Sequence, residues 1–416
     1  MSAHCPGWNR VINPFVQGTN TEQGVPQMTA SVAFFPVSNG DMTLIRLDNG
    51  QTILVDVNIR GAADDENDDT PNVAEDLRGR LDRDADGRLF VDAFLVSHPH
   101  SDHTTGLRNH FHLGPPADWN EDDDKIMIRE MWSSPVVFRR ADANGESLCE
   151  DARAWAKEAR RRVKLFREKS FATTEGDRIQ IMGEDVDDKT DDILGIVVKL
   201  NELVDTCNRV RDGSFEARLL APLFPIDEDD EDTLRHNQSS VILRFSLRGG
   251  GISDRCRFLT GGDAEVAIWN RLWDTHGGAN ADWLSYDLLQ TPHHCSWRSL
   301  SFDRWSELGE AVEVDANARN ALSQTRKGAV IVASCKPIKA DDDNPPHERA
   351  KREYVVILDD DADRFFCTDE YWKDKKLTLE FEVKSSGIVR KIGTAAALAA
   401  PALGISATAS HARHHG

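Results

Sequence analysis

The stretch FLVSHPHSDHTTGL, residues 94–107, sets three histidines and an aspartate within six positions behind an apolar run. Val91–Val96 is short, apolar and β-branched or aromatic apart from Asp92, which reads as a buried strand. Imidazole nitrogens and carboxylates are preferred ligands for zinc, iron or manganese. Along an extended segment, residues two apart project the same way. His98, His100 and Asp102 can therefore converge, while His103, at the turn, faces a second ion beside the first. A chain that spends this cluster at a strand end needs a fold that carries further ligands to the same edge.

Two later strand ends fit that requirement. FLTGGDAE closes an apolar run with two glycines and then Asp263, and LLQTPHHCS closes another with His293-His294. A carboxylate such as Asp263 can bridge two cations roughly 3.5–4 Å apart. Elsewhere, residues 29–58 form a meander with hairpin signals at Asn39-Gly40 and Asn49-Gly50, ending at Asp56 behind TILV. Residues 125–138 read as further strand, 146–169 as a helix, and 216–225, SSVILRFSL and CRFLTGGDAE as strands. A helix follows from Glu265 through Trp273, then strands at WLSYDLLQ, GAVIVASCKP, YVVILD and LTLEFEV. Short strands in two blocks with helices after each predict an α/β fold, two packed mixed β-sheets flanked by helices.

Composition narrows the function. A formal net charge of -21 argues against a general nucleic-acid binder, which needs positive surface to displace counterions. It leaves room for a small anionic substrate held by metal ions. The helix at 146–169 is locally basic, with Arg160, Arg161, Arg162, Lys164, Arg167 and Lys169 around Trp155, Ala159, Val163 and Phe166. That pattern suits either a solvated face or a phosphate-guiding patch. Seven scattered cysteines without a C-x-x-C pair favour a reducing, cytoplasmic setting. The N-terminus shows no signal peptide. Ile392–Ala409 is uncharged but dominated by Ala and Gly with a mid-run Pro, so it reads as a tail or docked helix rather than a membrane span. With the acidic loops 62–74 and 226–232, it is a surface that a protein partner could use.

The order Asp56, H-x-H-x-D-H, strand-end Gly-Asp, strand-end His resembles the metallo-β-lactamase fold superfamily. Within it the chain is most similar to the ComEC-like branch, the soluble hydrolase domain found on DNA-uptake proteins. The supporting elements are Gly40-Asp41 before ILVD, Asn237 to Ser240, TGGD, HHCS at 293–296, and VIVAS followed by Asn344 and His347. Cys295 stands where the branch has glycine, Gly262 is an extra glycine, and His236 alone is available as the isolated histidine of other members. No counterpart of the family's membrane channel is visible, so DNA uptake does not carry over.

The resemblance implies an αββα sandwich over residues 1–385 with a helical insertion near 139–215, and an Ala-rich tail at 386–416. It implies one or two divalent ions, zinc or manganese. His98 and His100 would hold the first, Asp102 and His103 the second, Asp263 would bridge, and His294 or His293 would complete the second site. Asp56 would orient a ligand histidine. Asn344 and His347 would bind or protonate the leaving group, although His347 also suits an ordinary Pro-rich turn. The expected activity is a phosphodiesterase or nuclease acting through metal-activated water on single-stranded or short nucleic acid or (cyclic) nucleotides, without strong duplex binding. Arg298, just after the histidine pair, would meet phosphate. The alternatives are an ester, lactone, thioester or amide hydrolase of the same fold, or a metal-binding effector or scaffold subunit of a bacterial multi-gene system.

Overall fold

The computed structural model describes residues 28–64, 68–143, 148–186, 188–225, 234, 236–341 and 344–393. The expected meander forms β1 (Ala30–Phe34), β2 (Thr43–Arg46) and β3 (Thr52–Val55), antiparallel throughout. The strand leading to the histidines, β4 (Phe90–Leu95), then lies parallel to β3. From here the first sheet is parallel: β5 (Phe111–His112) and β6 (Ile126–Ser133), then β7 (Arg178–Met182) and β8 (Val197–Val198).

The second sheet repeats the scheme. β9 (Leu203–Val204), β10 (Phe215–Ala221), β11 (Ile242–Gly249) and β12 (Ile252–Leu259) pair antiparallel. β13 (Tyr286–Gln290), β14 (Thr325–Ala333) and β15 (Phe365–Cys367) continue it in parallel. The chain returns to the first sheet with β16 (Leu379–Lys384) and β17 (Gly387–Arg390). Both sheets are therefore mixed, as expected.

Helices with side chains against these sheets include α1 (Val73–Arg80), α2 (Leu107–His110), α3 (Pro135–Ala143) and α4 (Glu150–Lys169) on the first. On the second they include α5 (Val266–His276), α6 (Trp305–Leu308), α7 (Ala316–Leu322) and α8 (Glu348–Ile357). Three buried apolar clusters define the layers. Phe34, Ile53 and Leu95 meet Leu243, Phe258 and Leu288 between the sheets, where Phe34 and Phe258 pack edge to face at 5.5 Å. Leu77, Trp155 and Phe166 cover Leu54, Phe94 and Met131 on one outer face, and Trp269, Leu322 and Tyr354 cover the other. Burying one such aromatic contributes about 1.5–3 kcal/mol, so the shared middle layer ties the sheets together.

Some segments depart from the sequence reading. Residues 135–138, taken as strand, begin α3, and YVVI at 354–357 is the end of α8. A short β-branched run does not distinguish a strand from one face of a buried helix. The segment 139–215 holds α4, yet also β7, β8 and β9, so it widens the sheets rather than forming a separate helical insertion. β17 carries the folded body past residue 385. The remaining Ala-rich stretch from 394, the N-terminal 27 residues and the acidic run 226–232 lie outside the described residues. Among the described residues no helix is long and apolar enough to cross a membrane.

This topology sets the site. Parallel strands end at a common edge, and their C-terminal loops face the same crevice. The loops after β3, β4, β12, β13 and β14 carry, in turn, Asp56, the histidine cluster, Asp263, His293-His294 and Ser334.

Candidate metal centre

The loops reach the crevice because their backbones are fastened to one another. Val57 N–H donates to His103 O, Val241 N–H to Ser97 O and His293 N–H to Gly262 O. Glycines permit close approaches. A Cβ on Gly40 would fall 2.7 Å from the Asp102 carbonyl oxygen, and one on Gly262, at φ +48°, would fall 2.8 Å from Ser240 Cβ. The extra glycine of TGGD is thus needed for the left-handed turn, after which Asp263 N–H donates to Ser240 Oγ.

The buried carboxylate of Asp263 divides the site. Its Oδ1 lies 3.0 Å from His103 Nε2 and 3.4 Å from His294 Nε2. The two Nε2 atoms are 3.3 Å apart, and Asp102 Oδ2 is 3.3 Å from that of His294. Its Oδ2 faces the other way, 3.3 Å from His98 Nε2 and 3.8 Å from His293 Nε2. His98, His100 and Asp263 form one group whose ligand atoms lie close enough to share an ion. Tetrahedral zinc with bonds of about 2.0–2.1 Å places neighbouring ligand atoms about 3.3 Å apart, which fits these separations. His98 Nε2, on one side of this carboxylate, and Asp263 Oδ1, on the other, are both buried yet make no hydrogen bond, so each side keeps an unpaired atom that a cation would satisfy.

A buried group of Asp41, His103, Asp263 and His294 could also hold a metal ion. Asp41, however, approaches the two imidazoles from their far side, 3.4 Å from His294 Nδ1 and 3.9 Å from His103 Nδ1. Those nitrogens have other partners. His103 Nδ1 lies 2.8 Å from Asp56 Oδ2, and His294 Nδ1 lies 3.1 Å from the Ser334 carbonyl oxygen. Acceptors at Nδ1 fix the tautomer that leaves each Nε2 lone pair toward Asp263. Asp102 is the better-placed carboxylate on the Nε2 side, while Asp41 lies behind the rings, its buried Oδ1 without a hydrogen bond.

The electrostatics show a centre that demands positive charge. Burial works against the His294 imidazolium, yet Asp263, Asp102 and Asp41 push its pKa up to about 10. Burial likewise opposes charge on His103, and Asp263 and Asp56 outweigh it. Burial and the neighbouring His103 instead push His98 down to about 3, leaving a neutral imidazole with a free lone pair. For Asp263, burial favours the neutral acid, but the surrounding imidazoles hold it well below the usual carboxylate range. A divalent cation held by these residues would take the place of those protons.

The remaining sequence-predicted residues stand behind or beside this cluster. Asn344 Oδ1 accepts from Ser296 Oγ (2.8 Å) and Trp297 N–H (3.0 Å), and His347 N–H donates to Cys295 O (3.0 Å). His347 Nδ1 accepts from Arg349 N–H at the start of α8, with its ring against Trp305. Both residues hold the histidine turn from behind rather than joining the ligand atoms. Arg298, half exposed, pairs with Glu265 (3.2 Å), which also lies 3.5 Å from His293 Nδ1. The His236 side chain lies outside the described residues. The basic helix is largely spent internally: buried Arg162 binds Glu158 and two carbonyls, and Arg161 binds Glu158 and Asp177. Sequence reading missed the orienting roles of Ser97 and Ser334 and the approach of Asp41 to the two imidazoles. The hairpin glycine before Asp41 marked its position but not its contact.

Compared with models of known protein families the chain matches none, and a search of curated proteins finds no match.

Proposed function

We propose that the chain is a metal-dependent hydrolase of the metallo-β-lactamase fold, in its ComEC-like branch, cleaving phosphodiesters in single-stranded or short nucleic acids or (cyclic) nucleotides. The observation that carries this reading is Asp263, whose two carboxylate oxygens face two separate sets of histidines. His98, His100 and Asp263 would hold one ion, with His293 alongside, and Asp102, His103, Asp263 and His294 the other. The donor set of imidazoles and carboxylates suits zinc or manganese. When bound, such ions supply Lewis-acid polarisation and a water of lowered pKa. Asp56 and Ser334 keep the ligand nitrogens oriented, while Arg298, just after the histidine pair, would meet a phosphate oxygen. Arg161 and Arg162 are paired internally, so this helix offers fewer free cations to a long duplex, in keeping with the net charge.

One observation favours a neutral ester or amide instead: Glu265 already offsets Arg298. The test is hydrolysis of bis(p-nitrophenyl) phosphate and p-nitrophenyl acetate with zinc or manganese. We expect phosphodiester turnover that disappears in Asp102→Ala. Arg298→Ala should lower phosphodiester turnover by on the order of tenfold or more, the loss of one charge-assisted contact, and leave acetate turnover intact. Acetate turnover alone would replace the phosphodiester reading with the ester one.

A further inference from the structure

Along α4, Arg153, Arg160 and Arg167 recur every seven residues, with Ala156, Ala159 and Val163 between them on the same face. A seven-residue repeat keeps side chains on one stripe of a helix. This stripe walls a cleft of about 640 Å3 whose other side includes Phe138, Ile181 and Ile193. The two alanines leave open the volume that larger side chains at this spacing would fill. The cleft lies off the C-terminal ends of β6 and β7, on the edge where parallel strands present ligand crevices.

Its charges are unevenly used. Arg167 pairs with Asp192 at 2.5 Å and Arg139 with Asp185 at 3.0 Å. Arg153 and Arg160 are exposed; Arg153 reaches the Leu148 carbonyl, and neither guanidinium pairs with an acid among the described residues. The hydroxyl of Ser134, which lines the same cleft, is buried and makes no hydrogen bond. A buried hydroxyl without a partner is costly, and a bound acceptor removes that cost.

We propose that this cleft is a second site, separate from the metal centre, that binds a small organic phosphate. Its apolar or aromatic body would lie against Phe138, Val163, Ile181 and Ile193, and its phosphate would be taken by Arg153 and Arg160. The volume falls in the range of small-molecule sites. Two guanidinium forks suit a phosphate better than a single carboxylate. The proposal does not depend on the protein being a hydrolase.

The test titrates the full-length, zinc-supplied protein by calorimetry with 1-naphthylmethylphosphonate, which has no scissile ester. Inorganic phosphate and 1-naphthalenemethanol serve as the two halves of the probe. The phosphonate should bind at least about tenfold more tightly than either half, since it engages both surfaces. Arg160→Glu should weaken it about tenfold or more, and Ala159→Trp, which fills the cleft without changing charge, should abolish binding. Asp102→Ala should bind as the wild type does. Arg160 is exposed, so its variant decides the matter if Ala159→Trp fails to fold. No binding by the wild type, equal binding of inorganic phosphate, or unchanged affinity in folded Arg160→Glu would overturn the proposal. So would loss of binding in Asp102→Ala, which would place the ligand at the metal centre.

Discussion

Replacing Asp56 by asparagine isolates the orienting role from the ligands themselves. Asp56 is buried at φ 57°, a left-handed conformation that asparagine tolerates. Its Oδ1 accepts from the Ser97 backbone N–H at 2.6 Å; its Oδ2 accepts from Ser97 Oγ at 2.6 Å and faces His103 Nδ1 at 2.8 Å. The backbone donor is fixed, so the asparagine oxygen must stay on that side and the amide NH2 must turn toward His103. His103 Nδ1 then becomes an acceptor and its ring proton moves to Nε2, the atom meant for the ion. Loss of such a partner typically costs 10–100-fold in metal affinity, or about 1.4–2.7 kcal/mol. Folding should not suffer, because burial pushes the Asp56 carboxyl up and an amide carries no such penalty. The assay is competition for zinc against a chromophoric chelator, beside a metal-free melting curve. Zinc affinity within twofold of wild type in a protein that melts normally would refute the tautomer argument.

The other predictions act on neighbouring parts of the structure. Asp263→Ala removes both oxygens shared by the two ligand sets, so metal content measured by plasma mass spectrometry should fall from up to two ions to one or none. Two ions bound as in wild type would rule out bridging. Asn344→Ala deletes the acceptor of two hydrogen bonds behind the histidine turn and should destabilise by about 1–3 kcal/mol in urea, with weaker zinc binding. An unchanged zinc affinity would make Asn344 merely structural. Burial works against the Glu380 carboxylate, but Arg80 at 2.8 Å and Lys391 at 3.2 Å outweigh it and hold its pKa below the usual value. Its stabilisation is therefore fully present above the unfolded value of about 4.3 and is lost as pH falls through the lower folded one. Acid denaturation of Glu380→Gln should lack that part of the pH dependence; an unaltered profile would show the pair to be inert.

What could be read from the sequence was whatever rests on short-range geometry. The H-x-H-x-D-H spacing is legible because alternation along an extended segment is local, and Asp263 and His294 are legible because glycine or proline punctuates the strand ends before them. Contacts set by strand register were not. Asp41 and Ser334 flank His294 only because β1, β2 and β14 bring distant segments to one edge. The misread runs at 136–138 and 354–357 had helix signals that their β-branched content masked: Pro135 opens α3, and His347 caps α8. The basic helix misleads for a related reason. Glu158 sits three and four residues before Arg161 and Arg162 and could be paired by eye, but Asp177 comes from the turn before β7 and the Arg178 carbonyl from β7 itself.

The turn at 293–295 shows how a cysteine is accommodated at position 295. His293, His294 and Cys295 are all left-handed, at φ 49°, 51° and 67°, a conformation that histidine and cysteine adopt at a cost glycine does not bear. Each non-glycine residue there costs on the order of 1–2 kcal/mol, so the turn would relax if left alone. It is held instead by His294 Nδ1 on the Ser334 carbonyl, His293 N–H on Gly262 O, and the Asn344 and His347 contacts at Ser296, Trp297 and Cys295. Glycine at 295 would relieve one of the three strained positions, but it would also remove a thiol buried in the outer cluster of the second sheet. Cysteine is therefore tolerated because the neighbouring segments already fix the backbone. The same contacts that impose the strain aim His294 Nε2 at Asp263, which makes this strained local conformation a condition of the candidate site's geometry.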